Sequence, residues 1–253
     1  YEELVRIDRF NPRLWEVYSR KPAKWVGLRD TGAIETAGEF IGGELRPLQD
    51  FTFKGARLRT NRWGMRDRNY SKAVPEDTVR LAFLGASYTM GAGVGDNETY
   101  ESIVEETMAA GVQGRNVEIL NFGVSGYAAT HQIEVLERKV LEFDPEIVVY
   151  NAHGNELTSL ARHLSLVMRD STEIPYPELA EMIEKTGVLP GQGRAQTEAP
   201  LRRISREVLR WAYERIASTC RENGITPVWL MIPRLSVDDR GSRFEPLRRI
   251  AEE

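Results

Sequence analysis

Val79-Arg-Leu-Ala-Phe-Leu84 runs straight into Gly85-Ala86-Ser87-Tyr-Thr-Met-Gly91-Ala-Gly93-Val-Gly95. A short, mostly apolar run closed by glycine has the length and composition of a strand buried on both faces, followed by a sharp turn. Working outward, Pro75-Glu-Asp77 marks the boundary before this strand, and Glu98 to Ala110 reads as a helix after it. Val117-Glu-Ile-Leu120 is a second strand, Thr130 to Phe143 a second helix, and Ile147-Val-Val-Tyr150 a third strand. Thr226-Pro-Val-Trp-Leu-Met-Ile232 is a fourth. In the long helix before it, Leu201, Ile204, Val208, Ala212, Ile216 and Cys220 recur every three to four positions, and Gly224 supplies the stop.

Strands of this kind, alternating with amphipathic helices, need cover on both faces of the sheet. A parallel sheet with right-handed crossovers provides it. The predicted fold class is therefore α/β, a flavodoxin-like three-layer sandwich with a central parallel sheet, plus an irregular β-containing N-terminal segment. The expected division places the appendage at 1–75 and the α/β domain at 76–253. Within the appendage, Phe40-Ile41, Phe51-Thr-Phe53 and Arg57-Leu-Arg-Thr60 read as short strands. Thr60-Asn-Arg-Trp-Gly-Met-Arg-Asp67 reads as a turn packed against the adjoining α/β domain. Residues 155–200 are less regular: helical pieces at roughly 157–169 and 177–186, then Leu189-Pro-Gly-Gln-Gly193 and the polar residues after it as a mobile connection.

Composition narrows the function. The 253 residues are 41% hydrophobic and 28% charged, with a formal net charge of -4, so bulk charge gives no reason to expect a nucleic-acid partner. The Arg-rich stretches Arg57 to Arg68 and Arg202 to Arg215 alternate with acids and apolar residues, as solvated surface does. Cys220 is the only cysteine, which removes an intrachain disulfide and a cysteine-rich zinc site and reads as packing. Apolar runs are too short for a membrane span, and the start at Tyr1 leaves a removed signal or anchor open. No cofactor and no metal is expected; His131, His153 and His163 lack a metal-ligand spacing.

Ligands of open parallel sheets bind beyond the carboxyl ends of the strands, and three turns lie there. Ser87 follows the first strand, where Gly85 lets the chain turn and backbone N–H groups can receive developing negative charge. The turn lacks the Lys of a phosphate-binding loop, and its glycines have the wrong spacing for a dinucleotide loop. Thr89 stands where a Gly-x-Ser-x-Gly elbow has glycine. The second turn, Asn121-Phe-Gly123-Val-Ser-Gly-Tyr127, brings a glycine N–H close to any ligand; a plain tight turn explains both glycines equally well. The third, Asn151-Ala-His153-Gly-Asn155-Glu156, offers an amide at Asn155 and an imidazole at His153. Read singly, Ser87 is a turn serine and Asn155 a helix cap.

Taken together, the three turns resemble the SGNH hydrolase superfamily, the GDSL-like lipases and acylhydrolases. Gly85-Ala86-Ser87 with Thr89, Gly91 and Gly93 is similar to its first block, Gly123 to the glycine of its second and Asn155 to the asparagine of its third. Asn61-Arg-Trp-Gly64-Met-Arg66 resembles a segment that precedes the core in many members. The likeness covers roughly residues 60–253. It implies that Ser87 is the nucleophile and that its N–H, that of Gly123 and the Asn155 amide form an oxyanion hole. The activity implied is hydrolysis of carboxylic esters through an acyl-enzyme. The expected partners are small-molecule, carbohydrate or lipid esters, with Tyr88, Met90, Val94, Phe122 and Tyr127 as candidate acyl contacts.

The chain departs from that pattern twice. Ala86 replaces the aspartate that helps hold the first block. The Asp-x-x-His pair that supplies the base and its acid is absent, and four core strands are legible against the family's five. The resemblance therefore predicts that a fifth strand and the missing pair lie beyond Glu253. The alternatives are His153 as substitute base, with Asp238 or Asp239 orienting it, an O-acetyltransferase using the same serine, or a non-catalytic binding module. His131 reads as a helix-start residue and His163 as surface helix.

Overall fold

The computed structural model describes residues 26–109, 111–112, 114–232 and 245–252. Asp238 and Asp239, and the N-terminal stretch 1–25, lie outside the described residues. Four short strands come first: β1 (Ile34–Glu35) pairs with β2 (Glu44–Leu45), and β3 (Asp50–Phe53) forms a hairpin with β4 (Ala56–Arg59). Phe40-Ile41 is a turn, not a strand. Gly38 and Gly42 both have positive φ, and the Gly42 N–H closes back on the Gly38 carbonyl, while the two apolar side chains point inward.

The central sheet is β5 (Thr78–Leu84), β6 (Asn116–Asn121), β7 (Ile147–His153) and β8 (Thr226–Ile232). All three pairings are parallel, in the order β6-β5-β7-β8. In chain order this is 2-1-3-4, the doubly wound arrangement of flavodoxin-like folds, with the switch of direction between β5 and β7. The helices are α1 (Tyr100–Thr107), α2 (Ala129–Arg138), α3 (Glu156–Arg169), α4 (Pro177–Glu184), α5 (Arg194–Glu222) and α6 (Glu245–Glu252), and they cover the sheet from both sides. None of the described helices is long and apolar enough to cross a membrane.

Three elements differ from their sequence reading. The second helix stops at Arg138, and a separate 3-10 turn spans Val140–Phe143. Helix α5 starts at Arg194, so the polar residues after Gly193 are its first turns; the Gly193 N–H is taken by the Gln196 side chain, and Pro200 is carried inside the helix. Strand β7 runs on to His153 because β8 keeps pairing as far as His153 with Ile232. Asn151 and His153 are thus strand residues, and only Gly154 and Asn155 form the turn.

The described part of the N-terminal segment joins the same apolar core. Leu28, Phe40, Leu45, Leu58, Met65 and Tyr70 belong to one buried cluster with Leu84, Leu120, Tyr150 and the inner faces of α2, α3 and α5. The outer edge of β6 is closed by carboxylates: the Ile119 N–H donates to Glu105 (2.9 Å) and the Asn121 N–H to Asp67 (2.8 Å). Taking these donors blunts the edge against strand addition. A cleft of about 960 Å³ runs beside that edge, but its arginines are paired within it, Arg59 to Asp96 and Arg68 to Glu105.

Candidate functional site

Parallel registers bring the turns after β5, β6 and β7 to one edge. Phe83 pairs with Asn121 and Leu84 with Tyr150, so Gly85 leaves the sheet between the ends of its two neighbours. The Val124 N–H donates to the Gly85 carbonyl (3.2 Å), and the Asn151 amide donates to the Leu84 carbonyl (2.9 Å).

The Ser87 turn is tightly held from below. The Asn121 amide donates to the Thr89 carbonyl (2.7 Å), the Gln132 amide to the Gly85 carbonyl (2.7 Å) and the Tyr100 hydroxyl to Thr89 (3.3 Å). Arg66 holds the far end. Its guanidinium, 2% exposed, donates to the carbonyls of Met90, Gly91, Val94 and Arg57 and faces Asp96 at 3.5 Å. This corrects the reading of the first Arg-rich stretch as solvated surface for Arg66 alone; Arg57, Arg59, Arg62 and Arg68 are exposed. It also gives the Asn61-x-x-Gly64-x-Arg66 segment a physical role. Asn61 accepts the Trp63 and Met65 N–H groups (2.9 and 3.0 Å), and a side chain on Gly64 would run into the Leu45 carbonyl.

Ser87 itself is half-buried. Among the described residues its hydroxyl and its N–H have no hydrogen-bond partner. The two glycines of the second turn behave differently. The Gly123 N–H donates to Asn121 Oδ1 (2.9 Å), two residues back. A Cβ on Gly123 would lie 2.6 Å from the Met90 nitrogen and 2.7 Å from Thr89 Cβ. Gly123 is therefore where the second turn packs against the first. Gly126 is exposed, has φ +93 and open space beside its Cα, and its N–H finds no acceptor among the described residues. The sequence signal for this difference was the Asn two places before Gly123, an acceptor at the spacing of an Asx turn. Gly123→Ala is expected to lower stability by about 2 kcal/mol, as overpacking does, read as a shift in the urea midpoint.

Asn155 is exposed at the N-terminus of α3, and its side chain makes no cap hydrogen bond. Its N–H donates to His153 Nδ1 (3.2 Å). The proton of a neutral His153 is then on Nε2, which faces Glu156 Oε1 at 3.5 Å. Burial lowers the His153 pKa, which works against a charged imidazole at this contact. Glu156 is buried with the Tyr150 hydroxyl donating to it (2.9 Å), and burial pushes its pKa up to about 7. Both nitrogens of His153 are thus turned toward its own turn.

The other histidines are not at this edge chemistry. His163 is buried, which corrects its reading as surface helix: Thr130 Oγ1 and the Phe40 carbonyl take its two nitrogens (2.8 and 2.9 Å). His131 Nδ1 accepts the Ala128 N–H (3.0 Å), capping α2 as expected of a helix-start residue, and its ring lies 3.6 Å from that of His163. Of the five candidate acyl contacts, Met90, Phe122 and Tyr127 are core residues; Tyr88 and Val94 are exposed.

Solved structures similar to this chain include TesA, an SGNH-hydrolase family esterase named AlinE4, and an acetylxylan esterase. TesA is 15% identical, over 68% of this chain and 69% of that one, with a TM-score of 0.43. AlinE4, an SGNH-hydrolase family esterase, is 18% identical over 62% and 77%, with a TM-score of 0.30. A catalytic mutant of Axe2, an acetylxylan esterase from Geobacillus stearothermophilus, is 17% identical over 70% and 83%, with a TM-score of 0.31. No protein-family model and no curated protein sequence matches the chain. The fold assignment stands on the strand order and registers of the central sheet.

Proposed function

We propose that this chain acts on carboxylic esters as a serine-dependent hydrolase, with Ser87 as nucleophile. The observation that carries the reading is the half-buried Ser87 hydroxyl, without a hydrogen-bond partner among the described residues, on a well-held turn at the carboxyl edge of a parallel sheet. Attack of Ser87 Oγ on the ester carbonyl forms a tetrahedral intermediate and, on loss of the alcohol, an acyl-enzyme that water cleaves. The Ser87 N–H, the Asn155 amide and the Gly126 N–H are the donors for the oxyanion; each is worth about 3–4 kcal/mol in such sites. Gly123 joins them as a donor only when Asn121 releases its N–H. Its packing against Met90 otherwise sets the distance between the two turns.

The serine needs a proton acceptor. His153 takes that part on this chain only if the Asn155 N–H gives up Nδ1. That same engagement of the histidines favours a second reading, a serine-site binding module without turnover. Labelling by a fluorophosphonate probe, with p-nitrophenyl acetate turnover read in parallel, separates them. The expected result is covalent labelling that disappears in Ser87→Ala. Labelling that persists in Ser87→Ala sinks the nucleophile assignment, and labelling without turnover selects the binding module.

A further inference from the structure

Glu101 is the second residue of α1, where an acidic side chain ordinarily stands in solvent beside the helix N-terminus. Here it is only 2% exposed. Thr99 Oγ1 donates to its Oε1 (2.7 Å) and the Ser102 hydroxyl reaches the same oxygen (3.4 Å), while Oε2 has no hydrogen-bond partner among the described residues. Burial raises the Glu101 pKa; the Asn121 and Thr99 side chains, its own N–H and the Arg66 charge act against that rise. The carboxylate thus adjoins both side chains that hold the Ser87 turn from below. Asn121 holds it through the Thr89 carbonyl, and Arg66 through those of Met90, Gly91 and Val94. The residues just before Glu101 grip the same turn: a Cβ on Gly91 would lie 2.4 Å from the Thr99 methyl carbon, and the Tyr100 hydroxyl donates to Thr89.

We infer that Glu101 is a positioning residue for the Ser87 site: its ionised carboxylate is the acceptor toward which Asn121 and Arg66 are held, and it sets both grips on the turn at once. Asn121 gives one amide hydrogen to Thr89 and its oxygen to the Gly123 N–H, which leaves one hydrogen to place. Arg66 gives its terminal nitrogens to carbonyls, and its Nε has no partner among the described residues. An ionised carboxylate only accepts, so it keeps the amide nitrogen and the guanidinium turned toward itself. The Asn121 oxygen is thereby left facing Gly123. An apolar side chain at 101 would fill the space but strand both donors in the interior, where an unmet donor is costly. The hold on Asn121 stands by itself; its consequence for Ser87 rests on the ester-hydrolase reading.

The test compares the full chain with Glu101→Gln and Glu101→Met by amide hydrogen exchange and by fluorophosphonate labelling. Gln keeps the shape but turns a second amide toward Asn121. Met keeps the bulk without a polar group, a replacement that buried ionic sites often tolerate. In either variant the Gly123 amide is expected to exchange roughly tenfold faster relative to Leu120, the worth of one hydrogen bond. Leu120 lies in the buried body of the same strand, so the ratio separates a local release from a general loss of stability. Labelling of Ser87 is expected to slow about as much in the covalent step, with the reversible affinity for the probe unchanged. An unchanged ratio of the two amides overturns the hold on Asn121, and a raised ratio with parent labelling rates overturns its consequence for Ser87. A parent chain that is never labelled removes the hydrolase reading alone, and the exchange ratio still decides the hold on Asn121.

Discussion

Arg66→Ala is expected to cost the folded chain about 4 kcal/mol and to slow phosphonate labelling of Ser87 in the molecules that remain folded. Hydrogen bonds to a charged donor contribute about 1.5–3 kcal/mol each, and acceptors stranded in the interior cost about 1–3 kcal/mol each. Arg66 serves four carbonyls, three of them on the turn just after Ser87. Water reaching some of them keeps the sum below simple addition. Asp96 also loses a partner, but it remains paired with Arg59 at 2.6 Å, so its share is small. Arg66→Lys is expected to recover less than half of the loss, because one ammonium cannot reproduce the planar fork that reaches Met90, Gly91 and Val94 together. Urea unfolding measures the first quantity and time-resolved labelling the second. A variant within about 1 kcal/mol of the parent would mean that the turn is held by its own N–H groups, Met90 to Ala86 and Ala92 to Ser87.

The fold was legible wherever its forces are local. Strands of a parallel sheet are short, mostly apolar runs, so β5, β6 and the half-exposed edge strand β8 stand out in the sequence within a residue of their ends. The ends of β7 and α5 did not, because each is set by something distant. Pairing with β8 extends β7 to His153, and packing against α3 and α4 carries α5 through Pro200. Tertiary burial likewise reversed two surface readings. Arg66 and His163 are polar residues that adjoin other charged residues along the chain, Asp67 and Arg162, and only the fold brings four carbonyls to one and Phe40 with Thr130 to the other.

The site was legible as three turns but not as a set of free groups. In Asn121-Phe-Gly-Val-Ser-Gly126 the one sequence cue that separates the two glycines is the Asn two places before Gly123. They separate once Asn121 is seen to spend its oxygen on Gly123 and its amide on Thr89. The same side chain thereby ties the second turn to the Ser87 turn, while Gly126 is left facing outward. Close approach of two loops needs a glycine, and Gly123 meets that need against Met90 and Thr89.

Acid should weaken the junction that carries the second turn. His131 and His163 lie against each other, tilted, at 3.6 Å between α2, α3 and the N-terminal segment, with Tyr127 stacked on His131 at 4.7 Å and Phe40 edge-on to His163 at 5.0 Å. Each is held neutral by its partners: His131 must keep a lone pair for the Ala128 N–H, and His163 gives its Nε2 proton to the Phe40 carbonyl. Burial, with the Arg29 charge adding to it, lowers the His163 pKa to about 4 from 6.5; burial and the neighbouring imidazole lower that of His131 well below its usual value. A histidine with a depressed folded pKa takes up its proton more readily in the unfolded chain. His163 therefore contributes fully above pH 6.5, and its contribution falls as the pH drops toward 4. The gap between 6.5 and about 4 corresponds to on the order of 3 kcal/mol. Glu156 works against it, since a pKa raised to about 7 loses stability as pH rises between 4.5 and 7. The measurable quantity is thus the difference between the parent and His163→Gln, which keeps a donor for the Phe40 carbonyl and removes the titration. The parent should lose about 3 kcal/mol more than His163→Gln between about pH 7.5 and pH 4, by urea unfolding at each pH. Parallel stability curves would mean that the imidazole pair is protonated in the folded state without penalty.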